Sequence, residues 1–362
     1  MDSIILYITV FLIVQILSSL SNILNKSKHT VMARILYILG LSIIIFISGF
    51  RYYVGTDYKN YIREYEYVSG IDLEYISNYR LEVGNILVYK LLYLISANPQ
   101  VMIFTYSLLT IIITYIAINK IFKDREYSIA PFIFFTVFLA FTYNGIRQGL
   151  AISIGLLAIS YLKEHKLKKF LLTSIVAFLF HSSAIILIPY GLIVYFSKNK
   201  KILIRTVLFS TVIGFILIIA PQVITRISVL SRYAAYLIPD NLQKFSITNL
   251  LLISPVIVML ILCWKKMNKY EDGNIVVLAL WINGIILDLI GNVARYVNRI
   301  SLYFTICLVC VVPIIIKSFE SKKVRYVLTI IFTIYFIAYF IFDFYIRGRQ
   351  EIFPYRNIFF AR

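Results

Sequence analysis

The feature that most constrains this chain is a series of apolar runs, many of them 16 residues or longer, that contain no charged side chain. A helix needs about 20 residues to cross a hydrocarbon core of ~30 Å. Since 60% of the residues are apolar and no polar block is long enough for a separate domain, we expect an all-α polytopic membrane protein, with one transmembrane domain over residues 1–362 and about ten to twelve spans. The ten clearest spans lie near 3–23, 31–50, 100–119, 127–143, 145–162, 203–220, 248–264, 274–292, 300–316 and 324–343.

Two further segments are irregular. Residues 82–97 are amphipathic, and we expect them to lie along or dip into the outer interface, at the end of a long outer loop over 51–99. Residues 169–196 are interrupted by Phe-His-Ser-Ser at 180–183 and again by Pro189. Non-helical backbone at membrane depth survives only where protein or a water-filled cavity satisfies it. We therefore predict a broken, re-entrant segment with His181 beside a cavity that opens outward.

The basic residues that give the chain its net charge of +19 are distributed unequally between the two predicted sides of the membrane. The loops that alternate onto one face hold 21 of the 36 basic residues, and 17 of these 21 are lysine. The positive-inside rule makes this face cytoplasmic. Membrane topology and attraction to anionic lipid headgroups then explain the excess of basic residues, and nucleic-acid binding is not expected.

The remaining 15 basic residues lie on the opposite side, and twelve of them are arginine. A guanidinium is a planar, permanently charged fork that binds phosphate through two hydrogen bonds. The excess of arginine predicts an anionic ligand on the outer face. These residues are Arg51, Arg63, Arg80, Arg147, Arg226, Arg232, Arg295, Arg299, Arg347, Arg349, Arg356 and Arg362.

The first outer loop alternates tyrosines with charged residues. Tyrosine rings stack on sugars, and carboxylates and arginines bond their hydroxyl groups, so the loop suits a glycan. An aromatic belt at the membrane interface is the competing interpretation. The loop residues that we single out are Arg51, Tyr53, Asp57, Tyr58, Tyr61 and Glu82.

Two polar stripes occur on predicted spans. Asn144, Arg147 and Gln148 share one helix face at a helix N-terminus, where the dipole favours an anion; a snorkelling interfacial arginine would look the same. A second stripe begins at Asp288 and reaches Asn292, Arg295 and Arg299. An internal ion pair from Asp288 to Arg295 is the alternative there.

His181 is one of three histidines, and the other two lie in the lysine-rich loops. A zinc site with three histidines therefore cannot be assembled on one side of the membrane. A lone histidine among apolar residues is commonly structural, although the predicted break at His181 leaves a catalytic role open.

In addition, the chain resembles the EpsG family of bacterial exopolysaccharide proteins, which are related to Wzy-type O-antigen and capsule polymerases. The resemblance rests on short segments in the family's order: FRYYVGTDYKNY, YNGIRQGLAISI, AFLFHSSAIILIPY, the ARY at 294–296 and FPYRN near the C-terminus. It implies a glycosyltransferase that joins oligosaccharide repeat units carried on undecaprenyl diphosphate, at the outer leaflet of the bacterial cytoplasmic membrane. Neither a nucleotide sugar, a metal nor another cofactor is expected. The implied partners are the lipid-linked donor and acceptor, membrane lipid, a flippase and chain-length regulators.

Under this hypothesis, fixed cations stabilise the charge that develops on the departing diphosphate. We assign this role to Arg147, Arg295 and Arg51. As general base we rank His181 first, then Asp57 or Glu82. The remaining substrate-binding candidates are Tyr53, Tyr58, Tyr61, Asn144, Gln148, Tyr296 and Arg299.

Three other classes stay open. A lipid-linked oligosaccharide flippase would also need cations, but alternating access predicts polar residues along a path through the membrane, whereas here they concentrate on one side. A scaffold subunit of an export complex would need no intramembrane arginine. A membrane O-acyltransferase that uses His181 is the third class. Its acyl donors are usually cytoplasmic, whereas the site that we predict faces outward.

Overall fold

The computed structural model describes residues 3–71, 81–122, 129–197, 199–219, 248–267, 273–291 and 297–360. These ranges are helical, and their one extended pairing is an isolated bridge between Arg51 and Asn357. The helices are α1 (Ser3–Lys26), α2 (Thr30–Gly49), α3 (Tyr58–Gly70), α4 (Val83–Tyr93), α5 (Gln100–Ile121), α6 (Ile129–Ile133), α7 (Leu139–Asn144), α8 (Ile146–Lys163), α9 (Leu167–Phe180), α10 (Leu187–Tyr195), α11 (Asn199–Ile219), α12 (Thr248–Met267), α13 (Asn274–Gly291), α14 (Val297–Thr305), α15 (Leu308–Lys317) and α16 (Lys322–Phe340). The predicted all-α polytopic fold is confirmed.

In the described part of the chain, six helices are long and apolar enough to cross a membrane. They are Ser3–Lys26, Thr30–Gly49, Gln100–Ile121, Asn274–Gly291, Val297–Lys317 and Lys322–Ile346. Each matches one of the ten spans predicted from the sequence. The other four predicted spans fall on the helices Ile129–Asn144, Ile146–Lys163, Asn199–Ile219 and Thr248–Met267, whose membrane crossing stays a prediction.

The chain packs into two compact units. The first comprises Met1–Leu157, Leu179–His181 and Tyr326–Arg362, and the second comprises Ala158–Phe178 and Ser182–Arg325. Most of the polar residues singled out in the sequence belong to the first unit. The single transmembrane domain stays a prediction.

Aromatic packing holds the core of the first unit. The ring of Phe11 on α1 meets that of Phe340 edge-on at 4.9 Å between centroids and stacks on Phe135 at 6.5 Å. Tyr7, one turn earlier, also contacts Phe340 at 5.6 Å. Such ring pairs add to the burial energy of the side chains. They join the first helix of the chain to the last.

Small and polar residues hold the second unit together, as is common between membrane helices. The Nδ2 group of Asn283 on α13 donates to Thr206 Oγ1 at 2.8 Å, and its Oδ1 accepts from Ser210 Oγ at 2.5 Å. Ser210 also hydrogen-bonds the Tyr190 hydroxyl on α10. A Cβ on Gly284 would lie 2.6 Å from the backbone nitrogen of Thr305, so only glycine allows this approach to α14.

The predicted break at His181 is confirmed. Helix α9 ends at Phe180, His181 is non-helical, and a 3₁₀ turn over Ser182–Ile186 leads into α10. The second predicted break, at Pro189, is wrong. Pro189 is the third residue of α10, and in the first turn of a helix the missing N–H is not needed. Whether the segment enters and leaves on one side of the membrane stays a prediction.

The amphipathic segment 82–97 forms helix α4. One face is buried and includes Asn85 and Tyr89, whereas Val83, Leu87 and Leu91 on the other face are more than half exposed. An exposed apolar face suits contact with lipid. The interfacial location that we expect for this segment stays a prediction.

Candidate functional site

A three-residue ion cluster lies in the first unit. One guanidinium nitrogen of Arg147 is 3.4 Å from a carboxylate oxygen of Glu64, and the other is 3.3 Å from Glu82. We call these residues the Glu64–Arg147–Glu82 cluster. All three side chains are largely buried, with 25% of the Arg147 side chain exposed. In this cluster two carboxyl groups share one guanidinium.

Three elements supply this cluster. Helix α3 buries Tyr58, Tyr61, Tyr65 and Val68 at helical spacing, which places Glu64 beside the buried stripe. Glu82 precedes the first residue of α4, and Arg147 is the second residue of α8. Both therefore lie at helix N-termini. There the helix dipole favours the charge of Glu82 but not that of Arg147, whose two carboxylate partners compensate.

Polar side chains of α4 and α5 brace the carboxylates. The Tyr89 hydroxyl donates to Glu64 at 2.9 Å. Asn85, fully buried, donates weakly to Glu82 at 3.4 Å and strongly to the carbonyl of Phe180 at 2.8 Å. Tyr106 on α5 donates to the Oδ1 atom of Asn85 at 2.8 Å. This network connects the cluster to the backbone immediately before the break at His181.

Asn144 joins three stretches of chain beside Arg147. Its Nδ2 group donates to both the backbone and the side-chain oxygen of Gln350 at 2.7 Å, and its backbone carbonyl accepts from the Tyr61 hydroxyl at 2.6 Å. The Oδ1 atom of Asn144 lies so close to Gly55 that a Cβ there would be 2.4 Å away. Gly55 also has a φ of +99°, a conformation that favours glycine.

Arg51, which we predicted to be a substrate-binding cation, is buried and held by protein groups, and its role toward a substrate stays a prediction. Its side chain is buried, donates to the Ser48 carbonyl at 2.6 Å and to Ser107 Oγ at 3.0 Å, and lies over the Tyr143 ring at 4.4 Å. In the described part of the chain it pairs with no carboxylate. Because Arg51 is covered, its contacts hold Tyr143, which adjoins Asn144, in place.

The predicted sugar-binding tyrosines divide by exposure. Tyr53 is 44% exposed and contacts the rings of Tyr52 and Tyr58 at 4.6 and 5.1 Å. Tyr58 and Tyr61 are buried, and the Tyr58 hydroxyl donates to Gln100 at 2.8 Å. Burial raises the pKa of Tyr61 to about 12, so its hydroxyl stays a neutral donor. Tyr53, with Tyr52, therefore presents an exposed ring, whereas Tyr58 and Tyr61 are buried and support the loop. Sugar binding by Tyr53, Tyr58 and Tyr61 stays a prediction.

Three further candidates, His181, Gln148 and Asp57, belong to the first unit. His181 is 9% exposed at the break, next to the Phe180 carbonyl that Asn85 holds. Gln148 is buried on α8 directly after Arg147. Asp57 is half-buried before α3, and its backbone N–H points to Asn144 Oδ1 at 3.4 Å.

The second predicted stripe is only partly described. Arg295 and Tyr296 lie outside the described residues. Arg299 is exposed on α14, in the second unit. Asp288 accepts from Asn249 and Ser301 at 3.4 Å each, so within the described residues its hydrogen bonds hold α12, α13 and α14 together.

Sequence reasoning counted Glu64 among the carboxylates of the outer loop but gave it no role, and it did not select Asn85, Tyr89 or Gln350. For Glu64 a signal existed, because Tyr61, Tyr65 and Val68 mark a buried helix face that runs past it. Nothing local marks Gln350, whose partner Asn144 is 206 residues away. Among the described residues, no group of three His, Cys, Asp or Glu side chains is placed to hold a metal.

A comparison with protein families places the fold and this site in a known context. The EpsG family model matches residues 34–357, a range that includes every member of the Glu64–Arg147–Glu82 cluster and the FPYRN segment. Searches of curated proteins and of solved structures gave no match. The match covers most of the sequence, and the apolar helices are those of a multi-pass membrane protein. The chain therefore belongs to the EpsG family, a family of polymerase-like membrane proteins of polysaccharide biosynthesis.

Proposed function

We propose that this protein is a glycosyltransferase that joins undecaprenyl-diphosphate-linked oligosaccharide repeat units at the outer leaflet of the bacterial cytoplasmic membrane. The observation that carries the proposal is the Glu64–Arg147–Glu82 cluster, in the same unit as the exposed Tyr52 and Tyr53 rings, in a chain of the EpsG family. Carboxylates supply a base, the guanidinium supplies a fixed cation, and the rings supply a surface for sugars.

The reaction replaces one bond to the anomeric carbon by another. The acceptor hydroxyl loses its proton to a base, its oxygen bonds to the anomeric carbon of the donor glycan, and the bond from that carbon to the diphosphate oxygen breaks. The electron pair leaves on the lipid diphosphate. The protein must therefore take up one proton and stabilise a developing negative charge.

The cluster can perform these two tasks one after the other. Because two carboxylates share one guanidinium, either carboxylate can accept a proton while Arg147 keeps one ionised partner. Protonation weakens one of the two ion pairs, and N–H groups of Arg147 then become available to a phosphate oxygen. We accordingly place Glu64 and Glu82 ahead of His181 and Asp57 as the base, and keep Arg147 as the cation.

The competing function is a flippase for the same lipid-linked oligosaccharide. The two can be separated with purified protein in liposomes that contain lipid-linked repeat units and no other protein. The proposal expects glycan products longer than one repeat unit. Movement of the unit across the bilayer without elongation would instead assign the protein to transport.

A further inference from the structure

A groove of about 1140 Å³ opens on the first unit, and no member of the Glu64–Arg147–Glu82 cluster lines it. Its apolar wall consists of Leu6 on α1 and Ile43, Phe46 and Ile47 on α2. Binding sites for drug-sized ligands typically enclose ~300–1,000 Å³. The groove is therefore large enough for a long apolar chain, and α1 and α2 are both helices apolar enough to face hydrocarbon.

The opposite side of the groove is formed by the C-terminal segment, which supplies Tyr355, Arg356 and Asn357 together with Phe360. Backbone hydrogen bonds fix this segment against the start of the first outer loop: the N–H of Tyr52 donates to the Arg356 carbonyl at 2.9 Å, and that of Ile358 to the Phe50 carbonyl at 3.1 Å. Arg356 lines the groove, is exposed, and forms no ion pair in the described part of the chain. Its backbone is held while its guanidinium stays available to a ligand.

The charge at this end of the groove is uncompensated. No carboxylate is among the described residues that line it. Arg51, which also meets no carboxylate there, is bridged through its backbone to Asn357, the residue after Arg356. By contrast, Arg147 already shares two carboxylates. An apolar groove that ends at the uncompensated guanidinium of Arg356 is complementary to a lipid with a strongly anionic head.

We propose that this groove binds the lipid carrier of the acceptor unit, whose diphosphate is not released during transfer, with the isoprenoid chain along α1 and α2 and the diphosphate at Arg356. The inference rests on the proposed function for the identity of the lipid. Tyr52 lines the groove and contacts Tyr53 at 4.6 Å and Tyr58 at 6.3 Å. The glycan attached to the diphosphate therefore begins beside the exposed tyrosine rings.

Binding of radiolabelled undecaprenyl diphosphate to the full chain in phosphatidylcholine nanodiscs tests this proposal. We expect Arg356→Ala to weaken binding about tenfold, as loss of a charged hydrogen bond does. Ser42→Trp, which fills the groove from α2, should weaken binding to a similar extent. Two matched controls should bind normally: Arg63→Ala removes an exposed arginine of α3, and Ile35→Trp adds a ring to α2, both outside the groove.

Competition identifies what the groove recognises. Excess phosphatidylglycerol or inorganic pyrophosphate should displace little of the labelled lipid. Full displacement by phosphatidylglycerol would overturn the proposal in favour of a general lipid site, and full displacement by pyrophosphate would leave the apolar wall without a role. Unchanged binding in both Arg356→Ala and Ser42→Trp would also overturn it.

The experiments distinguish a wrong assignment of the groove from a wrong proposed function. If the wild-type protein elongates lipid-linked units but both Arg356→Ala and Ser42→Trp bind the carrier normally, the groove is misassigned and the function stands. If Arg356→Ala loses binding but the wild-type protein elongates nothing, the groove stands and the function fails.

Discussion

At the scale of single residues, three arginines illustrate how surroundings decide a role that residue type leaves open. Arg147 is shared by two carboxylates, Arg51 is covered by Tyr143, and Arg356 is exposed beside an apolar groove. The sequence predicts that the arginines of the outer side serve an anionic ligand. It does not reveal which of them is compensated, because Glu64 lies 83 residues before Arg147 and only folding brings them together.

Gly55 provides a residue-scale prediction. Alanine at this position would require a φ of +99° and would place its Cβ 2.4 Å from Asn144 Oδ1. We expect Gly55→Ala to destabilise the protein by about 1–3 kcal/mol, the usual cost of such strain, and to lower its melting temperature in detergent.

Gly70 is the matched control, because a Cβ there meets no atom within 4 Å. Gly70→Ala should melt like the wild type. Equal melting temperatures for the two variants would show that the Gly55 loop does not pack against Asn144 as described.

At the scale of elements, the apolar runs predict the helices well, and Phe-His-Ser-Ser predicts the break between α9 and α10. The prediction of a second break at Pro189 is wrong because the helix break falls earlier in the chain. Pro189 therefore lies in the first turn of a new helix. The hydrogen bond that supports the backbone at the break also could not be predicted from the sequence. Asn85 contacts Phe180 across 95 residues, and no periodicity reports such a contact.

Asn85 gives the prediction at this scale. Replacing it by alanine leaves the Phe180 carbonyl and the Tyr106 hydroxyl without their partner, and removes a hydrogen bond to Glu82. We expect Asn85→Ala to cost about 1–3 kcal/mol of stability and to reduce elongation further than the loss of folded protein explains. Thermal unfolding and activity per folded molecule measure the two effects.

Asn60→Ala, an exposed position on α3, is the control and should change neither quantity. If Asn85→Ala elongates normally per folded molecule, the network only stabilises the fold and does not position the cluster.

At the scale of the whole molecule, the loops form two sets, one rich in lysine and the other rich in arginine. The division predicts that the loop after α1 is cytoplasmic and that the loop after α2 is outside. Thiol labelling can test this, since Cys263, Cys307 and Cys310 are all buried and should react little. A membrane-impermeant maleimide added to intact cells should label Thr56→Cys and not Ser27→Cys, both of which replace exposed residues.

Permeabilised cells should label both variants, which confirms that each thiol is accessible. Labelling of Ser27→Cys but not Thr56→Cys in intact cells would place the cluster's loop in the cytosol. The outer-leaflet assignment would then be wrong.

The central claim is that the Glu64–Arg147–Glu82 cluster carries out glycan transfer, and chain elongation by purified protein tests it most directly. We predict that Glu64→Gln and Arg147→Ala each lower the elongation rate at least ~10²-fold, with normal amounts of protein in the membrane. Glu66→Gln and Arg63→Ala, which remove the same charges from exposed positions on α3, should elongate like the wild type. Wild-type elongation by both cluster variants would contradict the account.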